Sequence, residues 1–435
     1  MKVIVRRAPG LRGRIGVPGD KSISHRAAII GALASGPTEI TGCLEAEDCL
    51  GTLRLLSALG VEITRKGAGH YLIAGVGLDG FQEPEDVLDL GNSGTTARLA
   101  LGLLAGHPFW SVLTGDESLR RRPVGRVVEP LRQMGASVVG RSEGERLPLA
   151  VRGARPLKAI RHRSPVASAQ VKSALLLAGL YADGPVTVEE PSRSRDHTER
   201  MLRAFGADVV QAGQAVTIAP GRDLHGRPIR VPGDFSSAAF FLVGGAIVPG
   251  SSVEITGVGV NPTRTAALEL LREMGCVVSE SGLEEGEEPV ANLRVEHRSL
   301  RGASVGGARI PGLIDEIPVL AVAAACAEGV TEIRDAAELR VKESDRVRAV
   351  VTELGKLGAR VEERADGFSI RGGPLKGAVV RSWGDHRMAM ALIIAGLVAE
   401  GETVVEDTAC IATSYPEFLP ALQRLAGEPC VTPAP

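Results

Sequence analysis

The stretch Val17 to Ala27, VPGDKSISHRA, and the stretch Val231 to Phe240, VPGDFSSAAF, open with the same four residues 214 positions apart, about half the length of the 435-residue chain. Pro-Gly often marks no more than a turn before a helix. A turn alone does not explain why the flanks match as well, GRIGVPGD in one copy and GRPIRVPGD in the other. The repeat predicts a duplicated chain in which each VPGD marks a crossing between two halves.

A finer period lies beneath that one. Small-residue helical segments run into Gly36, Gly106, Gly184, Gly250, Gly329 and Gly401, in steps of 70, 78, 66, 79 and 72 residues. After each glycine, read here as the C-terminal cap of its helix, comes a β-patterned segment and then a second helix such as TLRLLSALG or LELLREMG. Six α/β units of about 73 residues account for almost the whole chain. Three units per half predict two domains, residues 1–19 with 232–435 and residues 20–231.

Composition narrows the class. The chain is 44% hydrophobic and 23% charged, ordinary for a globular protein, and its net charge of −2 supplies no overall basic field for nucleic acid or an anionic membrane. Six cysteines form no CxxC pair and eight histidines show no metal-ligand spacing. MKVIVRRAPG reads as a strand rather than a signal peptide, and the longest apolar runs are too short to span a bilayer. A cytoplasmic protein without metal is expected.

The six first helices begin at GDKSISHR, GNSGTTAR, SPVASAQVKS, GDFSSAA, PGLIDEIP and WGDHRMAM. Ser, Asp, Asn and Gly are ordinary N-caps, so no single start is a site by itself. The cations are less easily explained. Lys21, Arg26 and Arg387 lie in or near first turns, where the positive pole of the macrodipole disfavours each by about 0.3–1 kcal/mol. Helix starts also present free N–H groups, so oxygen-rich anions are the expected ligands. Further cations cluster in ESLRRRPVGR, SRSRDHTER and ELRVKESDRVRAV, any of which alone could be a solvated face. In VKESDR, Lys342 and Arg346 are four apart and are expected to share a helix face with Glu343 beside them. A carboxylate among anion-binding cations suggests proton transfer next to a bound anion. Lys21-Ser22 lacks the Gly-x-x-x-x-Gly of a P-loop, no GxSxG elbow occurs, and no cysteine stands in an activating context.

Eight motifs, PGDKSISHR, GNSGTTAR, RRPVGRVVEPL, SAQVKSALL, SRDHTE, IDEIP, RVKESDR and GDHRMAMA, occur in an order and over a length that resemble the 5-enolpyruvylshikimate-3-phosphate synthase family. The resemblance implies an α/β fold of two domains, each an inside-out barrel of three βαβαββ units with helix N-termini aimed at the cleft between them. It implies transfer of the enolpyruvyl group of phosphoenolpyruvate to the 5-hydroxyl of shikimate 3-phosphate, with release of phosphate, in aromatic amino-acid biosynthesis. By matching position, Lys21, Ser22, Arg26, Ser168, Gln170, Arg195, Asp315 and Lys342 would hold shikimate 3-phosphate. Lys21, Gly94, Arg122, Gln170, Arg346 and Arg387 would hold phosphoenolpyruvate. Asp315 would be the base for the 5-hydroxyl and Glu343 the acid that protonates the methylene, placed on different helices, with Lys21 a further catalytic group. Gly94 would also lie against the herbicide glyphosate. A monomer acting on these small molecules, without cofactor, metal, nucleic acid or membrane, is expected.

Two positions depart from some family members: Thr413 stands where they have Lys, and Glu338 stands where others have Asn, so Glu338 is left out of the site. UDP-N-acetylglucosamine enolpyruvyl transferase shares the implied fold, but its loop cysteine has no counterpart in GDESLRRRP. A non-catalytic anion-binding scaffold would have no need of both Asp315 and Glu343.

Overall fold

The computed structural model describes residues 1–434. The chain divides into two compact units, Gly19–Val231 and Met1–Pro18 with Pro232–Pro435. Each has its own hydrophobic core.

All six sheets share one layout, a parallel pair of strands joined to two antiparallel strands. In three repeats the first strand leads through a buried helix to its own parallel neighbour, and a second helix and two antiparallel strands complete the sheet; in the other three a strand from elsewhere in the chain fills one place. In Gly19–Val231 the first helices are Lys21–Leu33, Gly94–Leu104 and Ala169–Gly179. In the other unit they are Phe235–Ile247, Ile317–Ala325 and His386–Gly396. These helices are apolar nearly all round, and Phe235–Ile247 and Ile317–Ala325 are buried along their whole length. A helix with no polar face is stable only when surrounded, so the helices form the inside of each unit and the sheets its outside. Strands such as Val186–Glu189 and Thr403–Glu406 accordingly alternate buried and half-buried residues.

Both units are closed by chain from the far end. Ile229–Arg230 pairs in parallel with Ser35–Thr41, so the last strand of Gly19–Val231 completes its first sheet. In the other unit, Val3–Val5 lies between Thr403–Glu406 and Val431–Pro433 while Arg12–Gly16 joins Ser252–Gly259. The repeated VPGD now has a residue-by-residue reason. A Cβ on Gly19 would lie 1.8 Å from the Gly42 carbonyl oxygen, so only glycine fits there. The following Asp20 and Asp234 cap helices by accepting from Ile23 N at 2.9 Å and Ser236 N at 2.8 Å.

One local expectation needs correction. The periodic glycines are not the helix caps, which are Ala34, Ala105, Leu180, Val248, Cys326 and Leu397. They stand further on, where the chain enters the next strand, and Gly36, Gly250, Gly329 and Gly401 adopt φ of +74° to +93° there.

Candidate active site

In Gly19–Val231 the helix starts are held largely by hydroxyls. Lys21 is the first residue of its helix, and its Nζ is ion-paired with Asp48, a 7% exposed residue in the first turn of helix Glu47–Ala58. That carboxylate answers the unfavourable pole at Lys21. Arg26 is buried and donates to Thr198 Oγ1 at 2.6 Å, Ser173 Oγ at 2.8 Å and the Ser22 carbonyl at 2.9 Å. Thr198 belongs to helix His197–Ala204, and Arg195 lies half-buried just before it.

Ser168 caps Ala169–Gly179 by accepting from Val171 N at 3.4 Å, while its own N–H donates to Glu190 at 2.8 Å. Gln170 donates to Thr95 Oγ1 at 3.0 Å, which ties this start to the residue after Gly94. Arg122 is buried and donates to both the carbonyl and the side chain of Asn92, two residues before Gly94. Beneath these groups, Lys172 Nζ lies 2.9 Å from Glu190 and 2.8 Å from Glu199. Burial opposes its charge, but the two carboxylates outweigh burial and its pKa is raised. His25 is fully buried, which lowers its pKa to about 3. Its Nδ1 meets Thr52 Oγ1 at 2.7 Å, and Thr52 in turn meets Thr96 Oγ1 at 2.7 Å.

The other unit is crowded with carboxylates. Asp315 stands in the turn before Ile317–Ala325, with Oδ1 at 3.3 Å from Arg346 Nη1 and 3.5 Å from Lys342 Nζ. Arg387 Nη1 donates to the Asp315 carbonyl at 3.0 Å and Nη2 lies 3.8 Å from Oδ2. Arg346 is 1% exposed; its Nη2 donates to Glu343 at 2.7 Å and its Nε to Asp385 at 2.7 Å. Burial opposes the charge of this guanidinium, but Asp385, Glu343 and Asp315 hold its pKa above the ordinary value. Burial raises and Arg346 lowers the pKa of Asp385, with a net shift downward. Glu316, beside Asp315, is fixed by Ser236 and by Arg264 at 3.4 Å.

Two expectations about VKESDR change. Lys342 is not on a helix with Arg346: Asp345 caps the helix through Arg348 N at 3.0 Å, so the helix begins at Arg346 and Lys342 is extended. The two cations still converge, through Asp315. Asp315 and Glu343 likewise occupy turns leading into helices rather than helices themselves. Two carboxylates that the sequence does not single out, Asp48 and Asp385, stand among these cations: the first belongs to no motif, and the second reads as a cap, which it also is, accepting from Arg387 N at 2.9 Å.

Thus Lys21, Ser22, Arg26, Gly94, Arg122, Ser168, Gln170 and Arg195 stand at or near three helix starts of one unit, and Asp315, Lys342, Glu343, Arg346 and Arg387 gather in the other. Hydroxyls, amides and cations suit anions, and paired carboxylates on a guanidinium suit proton transfer. Among the described residues no His, Cys, Asp and Glu cluster could hold a metal ion, and no helix is long and apolar enough to cross a membrane.

A family model described as EPSP synthase (3-phosphoshikimate 1-carboxyvinyltransferase) matches residues 5–422. The chain is 54% identical over 431 residues to a 3-phosphoshikimate 1-carboxyvinyltransferase of Desulforamulus reducens, covering 98% of this chain and 100% of that protein. It is 56% identical over 427 residues to the one from Pelotomaculum thermopropionicum, covering 98% and 99%. A solved structure of EPSP synthase from Acinetobacter baumannii superposes with a TM-score of 0.87 at 43% identity, covering 98% of each chain.

Proposed function

The chain belongs to the EPSP synthase family, and we propose that its two groups of helix starts divide that family's reaction between them. The reaction is enolpyruvyl transfer from phosphoenolpyruvate to shikimate 3-phosphate, in aromatic amino-acid biosynthesis, by an enzyme of two-domain inside-out α/β fold. In this reading Lys21, Ser22, Arg26, Ser168, Gln170 and Arg195 hold shikimate 3-phosphate. Lys21, Gly94, Arg122, Gln170, Arg346 and Arg387 hold phosphoenolpyruvate, and Lys342 and Asp315 complete the grip on the sugar acid.

The observation that carries the proposal is the guanidinium of Arg346, which has Asp315 on Nη1 and Glu343 on Nη2. Acid and base candidates are thereby held on two arms of one rigid fork. Asp315 takes the proton of the 5-hydroxyl as its oxygen attacks the carbon that bears phosphate. Glu343 delivers a proton to the methylene carbon, which becomes a methyl group. The resulting tetrahedral intermediate loses a methyl proton and expels phosphate, which restores the double bond. Lys21 and the arginines offset charge on the phosphates and carboxylates throughout. We place the enzyme in the cytoplasm as a monomer.

Phosphate release from phosphoenolpyruvate tests the reading, with shikimate 3-phosphate or UDP-N-acetylglucosamine as acceptor. Release with shikimate 3-phosphate alone is expected. Release with the sugar nucleotide alone would overturn it.

A further inference from the structure

Trp383 has φ of +60°, a left-handed conformation that bulky side chains rarely adopt. It sits two residues before Asp385, in the turn that leads into helix His386–Gly396. Its indole does not hang free. Nε1 donates at 2.8 Å to Oε1 of Glu353, a residue with no solvent exposure. The same carboxylate accepts from the Arg381 backbone N–H at 3.1 Å and from Lys356 Nζ at 2.8 Å.

Glu353 lies on helix Arg346–Lys356, seven residues after Arg346 and so on nearly the same face. Arg346 holds the turn through Asp385, and Glu353 holds it through Arg381 and Trp383. The helix therefore grips one short turn at two points about 10 Å apart along its axis. A single grip would let the turn pivot. Two fix the angle at which Asp385 meets Arg346, and Asp385 also receives the Arg387 N–H.

We propose that Glu353 and Trp383 are positioning residues for the guanidinium group of Arg346 and for the helix start that carries Arg387, acting through the 381–385 turn. This rests on the reading that those arginines hold phosphoenolpyruvate. Glu353 and Trp383 touch no substrate in it; their effect reaches the ligand through Asp385.

Trp383→Phe keeps an aromatic ring and removes the N–H, Glu353→Gln keeps the shape and removes the charge, and Trp383→Gly suits the left-handed backbone while removing the indole. All three should raise KM for phosphoenolpyruvate about 10-fold, the effect of losing a charge-assisted hydrogen bond. KM for shikimate 3-phosphate should stay within about 3-fold of wild type, while kcat falls alongside the rise in KM for phosphoenolpyruvate, because the same guanidinium holds Asp315 and Glu343. Trp110 and Trp383 are the two tryptophans of the chain. In a Trp110→Phe background the remaining fluorescence therefore reports the latch directly, and Glu353→Gln should make Trp383 more accessible to acrylamide. Greater quenching with an unchanged KM for phosphoenolpyruvate, or equal losses for both substrates, would overturn the proposal. Arg346→Lys separates the two levels. A wild-type KM for phosphoenolpyruvate there would overturn the assignment of Arg346 and this proposal with it. A raised value there, beside wild-type values in Trp383→Phe and Glu353→Gln, would overturn the proposal alone.

Discussion

Arg26 and Arg346 are both buried arginines at helix starts, one in each unit, and they are held in different ways. Arg26 donates to two hydroxyls and a carbonyl. Arg346 donates to three carboxylates. Hydroxyls can turn to serve a ligand without giving up protons, whereas carboxylates can exchange them. In the proposed reading the difference suits one unit to recognition and the other to proton transfer, although both are built from sheets of the same layout.

The sharpest way to break this contrast is to neutralise the carboxylates. Asp315→Asn and Glu343→Gln should each lower kcat by about 10² to 10⁴. Phosphate-release assays at saturating substrate measure this, and near-normal turnover in either variant removes that residue from the chemistry.

The second test concerns stability. Arg346→Met leaves Asp385 buried without its cation, which should cost about 3–5 kcal/mol. Arg26→Met should cost less, about 1–3 kcal/mol, because Ser173 and Thr198 already meet at 2.6 Å and can satisfy each other. Denaturant titration of both variants compares them directly, and equal costs would erase the contrast.

Acid should separate the units as well. His25 is held near pKa 3, and burial also lowers His107, to about 4, in the same unit. The unfolded chain titrates near 6.5 and binds more protons than the native state below that value, so stability falls as pH drops from about 6.5 toward 3. Between pH 7 and 5 His25 alone accounts for roughly 2 kcal/mol. Asp385 behaves differently: its depressed pKa lends stability that is present above 3.8 and is lost as pH falls through the lower native value. Hydrogen exchange resolved by peptide should show Gly19–Val231 losing protection first, and His25→Gln should flatten its pH dependence.

The smallest effect is expected at Gly94. A Cβ there would lie 2.7 Å from Arg98 Nη1 and 2.9 Å from Arg122 Nη1. Gly94→Ala should displace Arg122 and raise KM for phosphoenolpyruvate about 3- to 10-fold, with shikimate 3-phosphate unaffected. If glyphosate shares that pocket, its inhibition should weaken more than substrate binding does.

What could be read from residues alone follows the same division. The six repeats were legible because glycine spacing and small-residue helices are local patterns, and so were the cations at helix starts. The partners were not. Asp48 and Lys21 are joined only by packing of two helices, and Glu316 and Arg264 are separated by 52 residues. The spacing of Lys342 from Arg346 fits a helix, but the cap is Asp345, so the helix starts only at Arg346. Glu353 was invisible because a lone glutamate in an amphipathic helix reads as surface, whereas here it is buried and bonded to the 381–385 turn, which is distant in sequence.

The central claim is that binding and proton transfer are separable. Calorimetric titration of shikimate 3-phosphate into an Asp315→Asn/Glu343→Gln double variant tests it most directly. Affinity within about 10-fold of wild type, in a protein that no longer turns over, is the predicted result. Loss of binding by 100-fold or more, with the variant folded, would contradict it.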